Sequence, residues 1–478
     1  MQGQRMLTQK PFKLSEDKIF EDMIKQYKKL IALSLVVLLG IPGCKTTVTE
    51  KEKTMQTKPV EWSKDATIYE VNIRQYTPEG TINAFAKHLP ELNDLGVDIL
   101  WLMPIFPIGE ENRKGSLGSA YSVKDYRAVN PDFGTIEDLK SLVEKAHSLG
   151  MYVILDWVAN HTAWDNPLTV EHPDWYLKDS LGNFVPPVAD WSDVIDLNYD
   201  NADMRSYMAN SMKFWVENAD VDGFRCDVAM MVPTEFWDDT RAELDSLKPV
   251  FMLAEAEQPD HLLEAFDMNY GWELHHIMNQ IAQGKMEVVD LDAYFQKYDT
   301  VYSTDDYRMN FTSNHDENSW NGTVKERMGV AAEMMAALTY VVPGMPLIYS
   351  GQEAGLDKRL EFFEKDTIHW QDSPWRNLYT QLNQLKKDNE ALWNGDFGSK
   401  MKRLHTNADQ TVFAIEREKG DDIVIALFNM SNTEQVVNFT DTLETKPLKN
   451  YFSGEETAID TETEFTLTPW GYTILTAK

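Results

Sequence analysis

Carboxylates recur in this chain at the ends of apolar runs. Four short segments, DWVANH (Asp156–His161), GFRCDVA (Gly223–Ala229), LAEAE (Leu253–Glu257) and FTSNHDE (Phe311–Glu317), follow one another in that order, each closing a stretch of strand-forming residues. In GFRCDVA, Arg225 and Asp227 stand two apart and share one face of a strand, while Phe224 and Cys226 take the other. A guanidinium beside a carboxylate lowers its pKa and keeps it ionised, the condition for Asp227 to act as a nucleophile. Glu255 follows the apolar run VFMLA, whose partial desolvation raises its pKa and keeps it protonated for a leaving oxygen. One carboxyl held ionised and one held protonated on neighbouring strands make a nucleophile and acid pair suited to glycosidic bonds. Asp316 adds a third carboxylate, able to hold sugar hydroxyls and developing positive charge, and His161 and His315 supply hydrogen bonds to the same ring. Glu257 shares a face with Glu255 and is its nearest rival.

These residues need a scaffold that brings strand ends together. Seven strand-like runs (near residues 67, 98, 151, 221, 249, 308 and 345) alternate with helical spacing such as IEDLKSLVEKAHSLG and MRSYMANSMKFWVENA, and an eighth run fits AFDMNYGWEL. Strands alternating with helices predict parallel pairing, and eight of them a (β/α)8 TIM barrel with its chemistry at the carboxyl ends of the strands. The catalytic barrel is expected over 60–393, with a small inserted domain after strand 3 at about 162–195. From Asn394 the sequence changes to short alternating runs, TVFAIERE, DIVIALFNM and EQVVNFT, which predict a C-terminal antiparallel β-sandwich over 394–478.

The 478 residues are 43% hydrophobic and 11% aromatic, enough for a barrel and one further domain. A formal charge of −32 argues against nucleic acid, since the surface field repels phosphate backbones, and a neutral substrate fits better. At the amino terminus Lys25, Lys28 and Lys29 precede the apolar run Leu30–Leu39 and then Ile41-Pro42-Gly43-Cys44. That pattern predicts a signal region over 1–43, translated from Met23, an h-region too short to span a bilayer, and a bacterial lipobox that leaves Cys44 lipidated. A polar tether over 44–59 follows, and the protein is expected to be exported and held by lipid at the cell envelope. The only other cysteine, Cys226, faces the helix layer as packing, so no disulfide is expected within the chain.

The four segments resemble those of the α-amylase family, family 13 of the glycoside hydrolases. Position by position, the resemblance implies Asp227 as nucleophile, Glu255 as general acid/base and Asp316 as transition-state stabiliser. It places Arg225, His161 and His315 around the attacked glucose, matches Asp156 and Asn160 to the first segment, and gives Tyr121 in SAYSVKDYRAVNPDFGT the role of an aromatic stacked on that glucose. It implies a retaining hydrolase of α-1,4-glucosidic bonds in starch or maltodextrin, needing no cofactor. The chain departs from the family at Val228-Ala229-Met230-Met231, where many α-amylases carry a Lys-His pair, so calcium dependence of their kind is not expected, while Asn160 leaves a metal ligand open.

Aromatic residues in the inserted loop, Trp164, Trp175, Tyr176 and Trp191, and Trp320 beyond the fourth segment, divide between sugar contact and packing. His147 and His405 have no partner motif and read as surface residues. The same triad serves a transglycosylase or a cyclodextrin- or pullulan-cleaving enzyme. A non-catalytic glucan-binding lipoprotein is disfavoured because all three carboxylates are retained. A metal-dependent barrel hydrolase would need converging His and Asp ligands, of which only His161 and His315 are candidates. Endo or exo attack and oligomeric state are set by loop shape and surface, which these motifs do not encode.

Overall fold

Eight parallel strands close into a barrel in a computed structural model that describes residues 59–441 and 446–477. The basic region, the apolar run, Cys44 and the tether up to Lys58 lie outside the described residues. The strands are β1 (Ile68–Val71), β2 (Ile99–Leu102), β3 (Tyr152–Trp157), β4 (Gly223–Cys226), β5 (Phe251–Ala254), β6 (Met268–Tyr270), β7 (Tyr307–Phe311) and β8 (Met345–Tyr349). Each pairs with its neighbours in sequence, and the seam closes where Ile68 pairs with both Ile99 and Leu347. The weak run AFDMNYGWEL is β6, only three residues long. TIYEVNIRQY is a strand only as far as Val71 and then turns into the short helix Ile73–Tyr76.

Alternation decides what fills the barrel. Ile68, Ile99, Trp101, Ile154, Phe251, Leu253, Met268, Tyr270, Met309, Phe311 and Leu347 form an interior apolar cluster, while the intervening Tyr69, Leu100, Leu155, Phe224, Met252 and Ile348 pack against the helices. On the same inward register, nearer the carboxyl ends, stand Glu70, Asp156 and Arg225, all completely buried. The lower barrel is thus oily and its upper layer charged.

The helices that enforce this arrangement are amphipathic. Ile136–Ser148 starts at a capping box between Thr135 and Asp138 and buries Leu139, Leu142, Val143 and Ala146, spaced for one face. Ala202–Ala219 is capped by Asn201, and Pro374–Asp388 by Ser373 with proline at its first position. Between β3 and β4 the loop folds on a small antiparallel ladder of His161–Ala163 with Val194–Asp196.

After the barrel come six antiparallel strands in the order 401–404, 412–419, 422–429, 472–476, 446–450, 456–459, with a separate pair at 435–437 and 465–467. Along Val412–Lys419, Phe413 and Ile415 join the core of the barrel's helix layer, whereas Val412 and Ala414 join a second core with Leu404, Val437, Phe439 and Leu467. The six-stranded sheet is therefore buried on both faces. Phe413 stacks on Phe295 with ring centroids 5.8 Å apart, and Arg417 Nη1 donates to the Val341 carbonyl at 3.1 Å.

Candidate active site

Arg225 is the hub of the charged layer. From the middle of β4 its Nη1 donates to Asp156 Oδ1 and to Asp227 Oδ1, both at 2.9 Å, and its Nε donates to the Tyr270 hydroxyl at 3.1 Å. Nη2 lies 2.9 Å from Glu255 Oε2, as an ion pair rather than an aligned hydrogen bond. The guanidinium carbon sits 5.0 Å from the Trp101 ring centre, with Tyr121 and Tyr270 at 5.8 and 5.7 Å. Three carboxylates and three aromatic faces thus surround one buried cation, which compensates for taking that cation out of water.

Asp227 and Glu255 begin where β4 and β5 end. The chain turns sharply after Asp227: Val228 adopts φ 36°, left-handed backbone that a β-branched residue rarely takes. In that conformation the Val228 N–H donates to Glu255 Oε2 at 2.7 Å. Backbone and guanidinium therefore hold the same carboxylate oxygen and leave the other for substrate.

The pKa of Asp227 moves the opposite way from the expectation. Burial is the largest influence on Asp227 and raises its pKa, with Arg225 opposing it, so the net shift is upward rather than downward. Glu255 is raised for the same reason, as expected. Burial likewise raises Asp156 against the pull of Arg225. A carboxylate cluster sharing one arginine holds protons more firmly than a simple Asp–Arg pair does.

Opposite this pair stands the fourth segment. His315 Nε2 lies 2.8 Å from the Tyr121 hydroxyl and 3.2 Å from Asp316 Oδ2, while Nδ1 meets Glu70 Oε1. Tyr121 donates to Asp156 Oδ2 at 3.0 Å, where Trp101 Nε1 also donates at 3.1 Å. The Tyr121 ring stacks on His315 at 5.4 Å and lies beside Phe362 at 6.2 Å. Asp316 keeps about a third of its side chain open to the cleft (34%). His161 is buried beside Trp191, ring centres 5.5 Å apart, and burial lowers its pKa to about 4, so it is neutral.

The structure gathers Asp227, Glu255, Asp316, Arg225, His315, Tyr121 and Asp156 into one network. Asn160 and His161 sit at its edge, Asn160 Nδ2 against His161 Nδ1 at 3.3 Å. Among the described residues no three His, Cys, Asp or Glu side chains converge. Glu257 is elsewhere: Arg308 Nη2 donates to it at 2.7 Å and the Glu273 N–H at 3.0 Å, which fixes it as a structural acceptor. His147 is not a free surface ring, since its Nε2 lies 2.8 Å from Asp222 Oδ2, whereas His405 is exposed beside Asp409. Cys226 is buried in the helix-layer core, as its strand position implied.

Of the loop aromatics, Trp175 and Tyr176 are buried packing, Trp164 donates to the Ser192 carbonyl, and Trp191 faces His161. Trp320 is half exposed, its ring 5.2 Å from Phe362. The sequence reading missed Glu70, Trp101, Tyr270 and Phe362. Only Glu70 left a signal, as a lone carboxylate inside the apolar strand Ile-Tyr-Glu-Val.

A family model described as "Alpha amylase, catalytic domain" matches residues 49–191 and 169–422. The chain is 30% identical to a noncanonic maltogenic alpha-amylase from Thermotoga neapolitana, whose crystal structure superposes with a TM-score of 0.79 over 86% of this chain and 98% of that one. It is 25% identical to Alpha-amylase 3 of Dictyoglomus thermophilum, covering 81% of this chain and 89% of that protein. A cyclomaltodextrinase of Thermoanaerobacter pseudethanolicus is also 25% identical, over 81% of this chain and 75% of its own length.

Proposed function

The chain belongs to the α-amylase family, family 13 of the glycoside hydrolases, and on that premise we propose that it hydrolyses α-1,4-glucosidic bonds of starch or maltodextrin with retention of configuration. One observation carries the reading: a single guanidinium grips Asp227 through Nη1 and faces Glu255 through Nη2. Retaining glycosidases hold their two carboxyls closer together than inverting ones do, roughly 5–5.5 Å apart, and binding to one guanidinium brings Asp227 and Glu255 side by side.

In the proposed cycle Asp227 attacks the anomeric carbon while Glu255 gives its proton to the leaving oxygen, forming a glycosyl ester on Asp227. Glu255, now ionised, takes a proton from water, which attacks the same carbon and releases Asp227. Asp316 faces the positive charge that develops on the ring, with His315 beside it. Tyr121, with its hydroxyl pinned to Asp156, offers its ring as the floor under the attacked glucose.

The test is product analysis on soluble starch, maltoheptaose, pullulan and cyclodextrin with the protein and its Asp227→Asn variant. We expect starch and maltoheptaose cleavage, a loss of about 10³-fold or more in the variant, and α-configured first products by proton NMR. β-Configured products would sink retention, and no turnover of any α-glucan would sink the substrate assignment. The cyclomaltodextrinase relative supports a second reading, in which the same triad opens cyclic or branched glucans or passes the glycosyl group to a sugar. Faster turnover of cyclodextrin than of starch would select it. Export and lipid attachment at Cys44 remain part of the proposal, supported by the basic, apolar and small-residue succession before that cysteine. Mass spectrometry of the native protein finding an unlipidated Met1 terminus would refute this.

A further inference from the structure

Glu70 lies on β1, outside all four chemical segments, yet it is completely buried at the level of the catalytic carboxylates. Its Oε1 meets His315 Nδ1, while among the described residues no hydrogen-bond donor reaches Oε2. On the far side of the imidazole, Nε2 faces two oxygens, the Tyr121 hydroxyl and Asp316 Oδ2. Tyr121 has one proton and gives it to Asp156, so its oxygen can only accept from His315 and Nε2 must carry hydrogen. The remaining proton lies between Nδ1 and Glu70. A second carboxylate 3.2 Å from Nε2 favours leaving it on the ring, because both flanking oxygens then face a cation.

We propose that Glu70 is a positioning residue that keeps His315 as an imidazolium clamped between two carboxylates, so that the ring's charge favours the ionised form of Asp316 and a charged N–H stands beside the reacting sugar. Burial opposes the charged ring, but the carboxylates of Asp316 and Glu70 outweigh it and raise His315 to about 9. The other charged groups facing the ring are Arg225, which opposes its protonation, and Asp227 and Glu255, whose own ionisation it favours. Asp156 reaches it through Tyr121, and Trp101 and Phe362 are uncharged neighbours. A neutral amide at position 70 would keep the shape and lose the charge, so the carboxylate itself is the device.

The charge state does not depend on what the enzyme cleaves; only its kinetic consequence rests on the α-glucan reading. The experiment is ¹⁵N NMR of the full protein labelled at histidine, titrated across neutral and alkaline pH, with His315 assigned by the signals lost in His315→Gln. In the native protein His315 should carry both protons well above pH 7 and titrate near 9. In Glu70→Gln the midpoint should fall by at least a unit, and Glu70→Asp should restore part of it. On maltoheptaose, Glu70→Gln should lower kcat roughly ten- to a hundredfold with KM little changed, and move the alkaline limb of the pH profile downward. A neutral His315 at pH 7 in the native protein, or the same midpoint in native and Glu70→Gln, overturns the proposal. If Glu70→Gln does not fold, a neutral His315 in the native protein still overturns the proposal, and an unchanged midpoint in Glu70→Asp overturns it too, while a lowered one supports it. Native protein inactive on α-glucans but with the expected titration would overturn the function proposed above and leave this inference standing.

Discussion

One arginine side chain organises the site. Because Arg225 neutralises part of the charge on Asp156, Asp227 and Glu255, its loss strands three buried carboxylates. Arg225→Met should destabilise the fold by about 3–5 kcal/mol in urea unfolding, with Arg225→Lys less affected because it keeps the charge but not the fork. Raised pKa values at Asp227 and Glu255 predict a pH profile of kcat/KM whose acid limb lies above the ordinary aspartate value of 3.8. An acid limb at or below that value would contradict the burial seen here. His315 adds a stability term of definite sign: its folded pKa near 9 exceeds the ordinary 6.5, so its contribution is complete below about 6.5 and lost as pH rises through 9. The urea midpoint should therefore fall between pH 7 and 9.5, and fall less in His315→Gln. The clustering of Asp227, Glu255 and Asp316 was legible because they sit in strand-end segments of recognisable type. Glu70 left only the faint signal of a lone glutamate in an apolar strand, a pattern that is the same whether the side chain points into a barrel or out to solvent.

At the scale of elements, β4 and its turn bear the greatest constraint. A Cβ on Gly223 would lie 1.8 Å from the Phe251 carbonyl oxygen, so the strand starts where only glycine lets β5 approach. Gly223→Ala should cost about 1–3 kcal/mol or more and, by moving Arg225 and Asp227, depress kcat beyond the stability loss; calorimetry and kinetics on the same preparation separate the two. The turn after Asp316 presents Trp320 half exposed against Phe362, which in turn meets Tyr121. If that ledge carries glucose units, Trp320→Ala should raise KM for maltoheptaose about three- to tenfold while leaving maltotriose nearly unchanged. Equal effects on both oligomers would assign Trp320 to packing. Strands and helices were readable from alternation and helical spacing, but β6 was marginal because three residues carry almost no period. The ring-to-ring path from Trp320 to Tyr121 was not readable, since Phe362 comes from a different loop.

At the scale of the molecule, the C-terminal sheet is welded to the barrel rather than appended to it. Phe413, Ile415, Val424, Ala426 and Phe428 belong to the same continuous core as the barrel helices. Residues 59–477 should therefore melt as one calorimetric transition, and Phe413→Ala should lower it by about 3–5 kcal/mol of stability without splitting it. Two resolved transitions would mean the sheet folds alone. The sequence marked this sheet by its alternating runs, but a strand buried on both faces, as in Val412–Ile415, hides which side meets the barrel.

The seam where Ile68 meets Leu347 has its own consequence during synthesis. Until β8 has left the ribosome, β1 lacks its second partner and the nascent sheet keeps two open edges, the state most prone to pair with another chain. The site assembles equally late, because Glu70 belongs to the first strand and His315 follows the seventh. A growing polypeptide thus keeps unpaired sheet edges and an incomplete site until nearly the whole barrel exists.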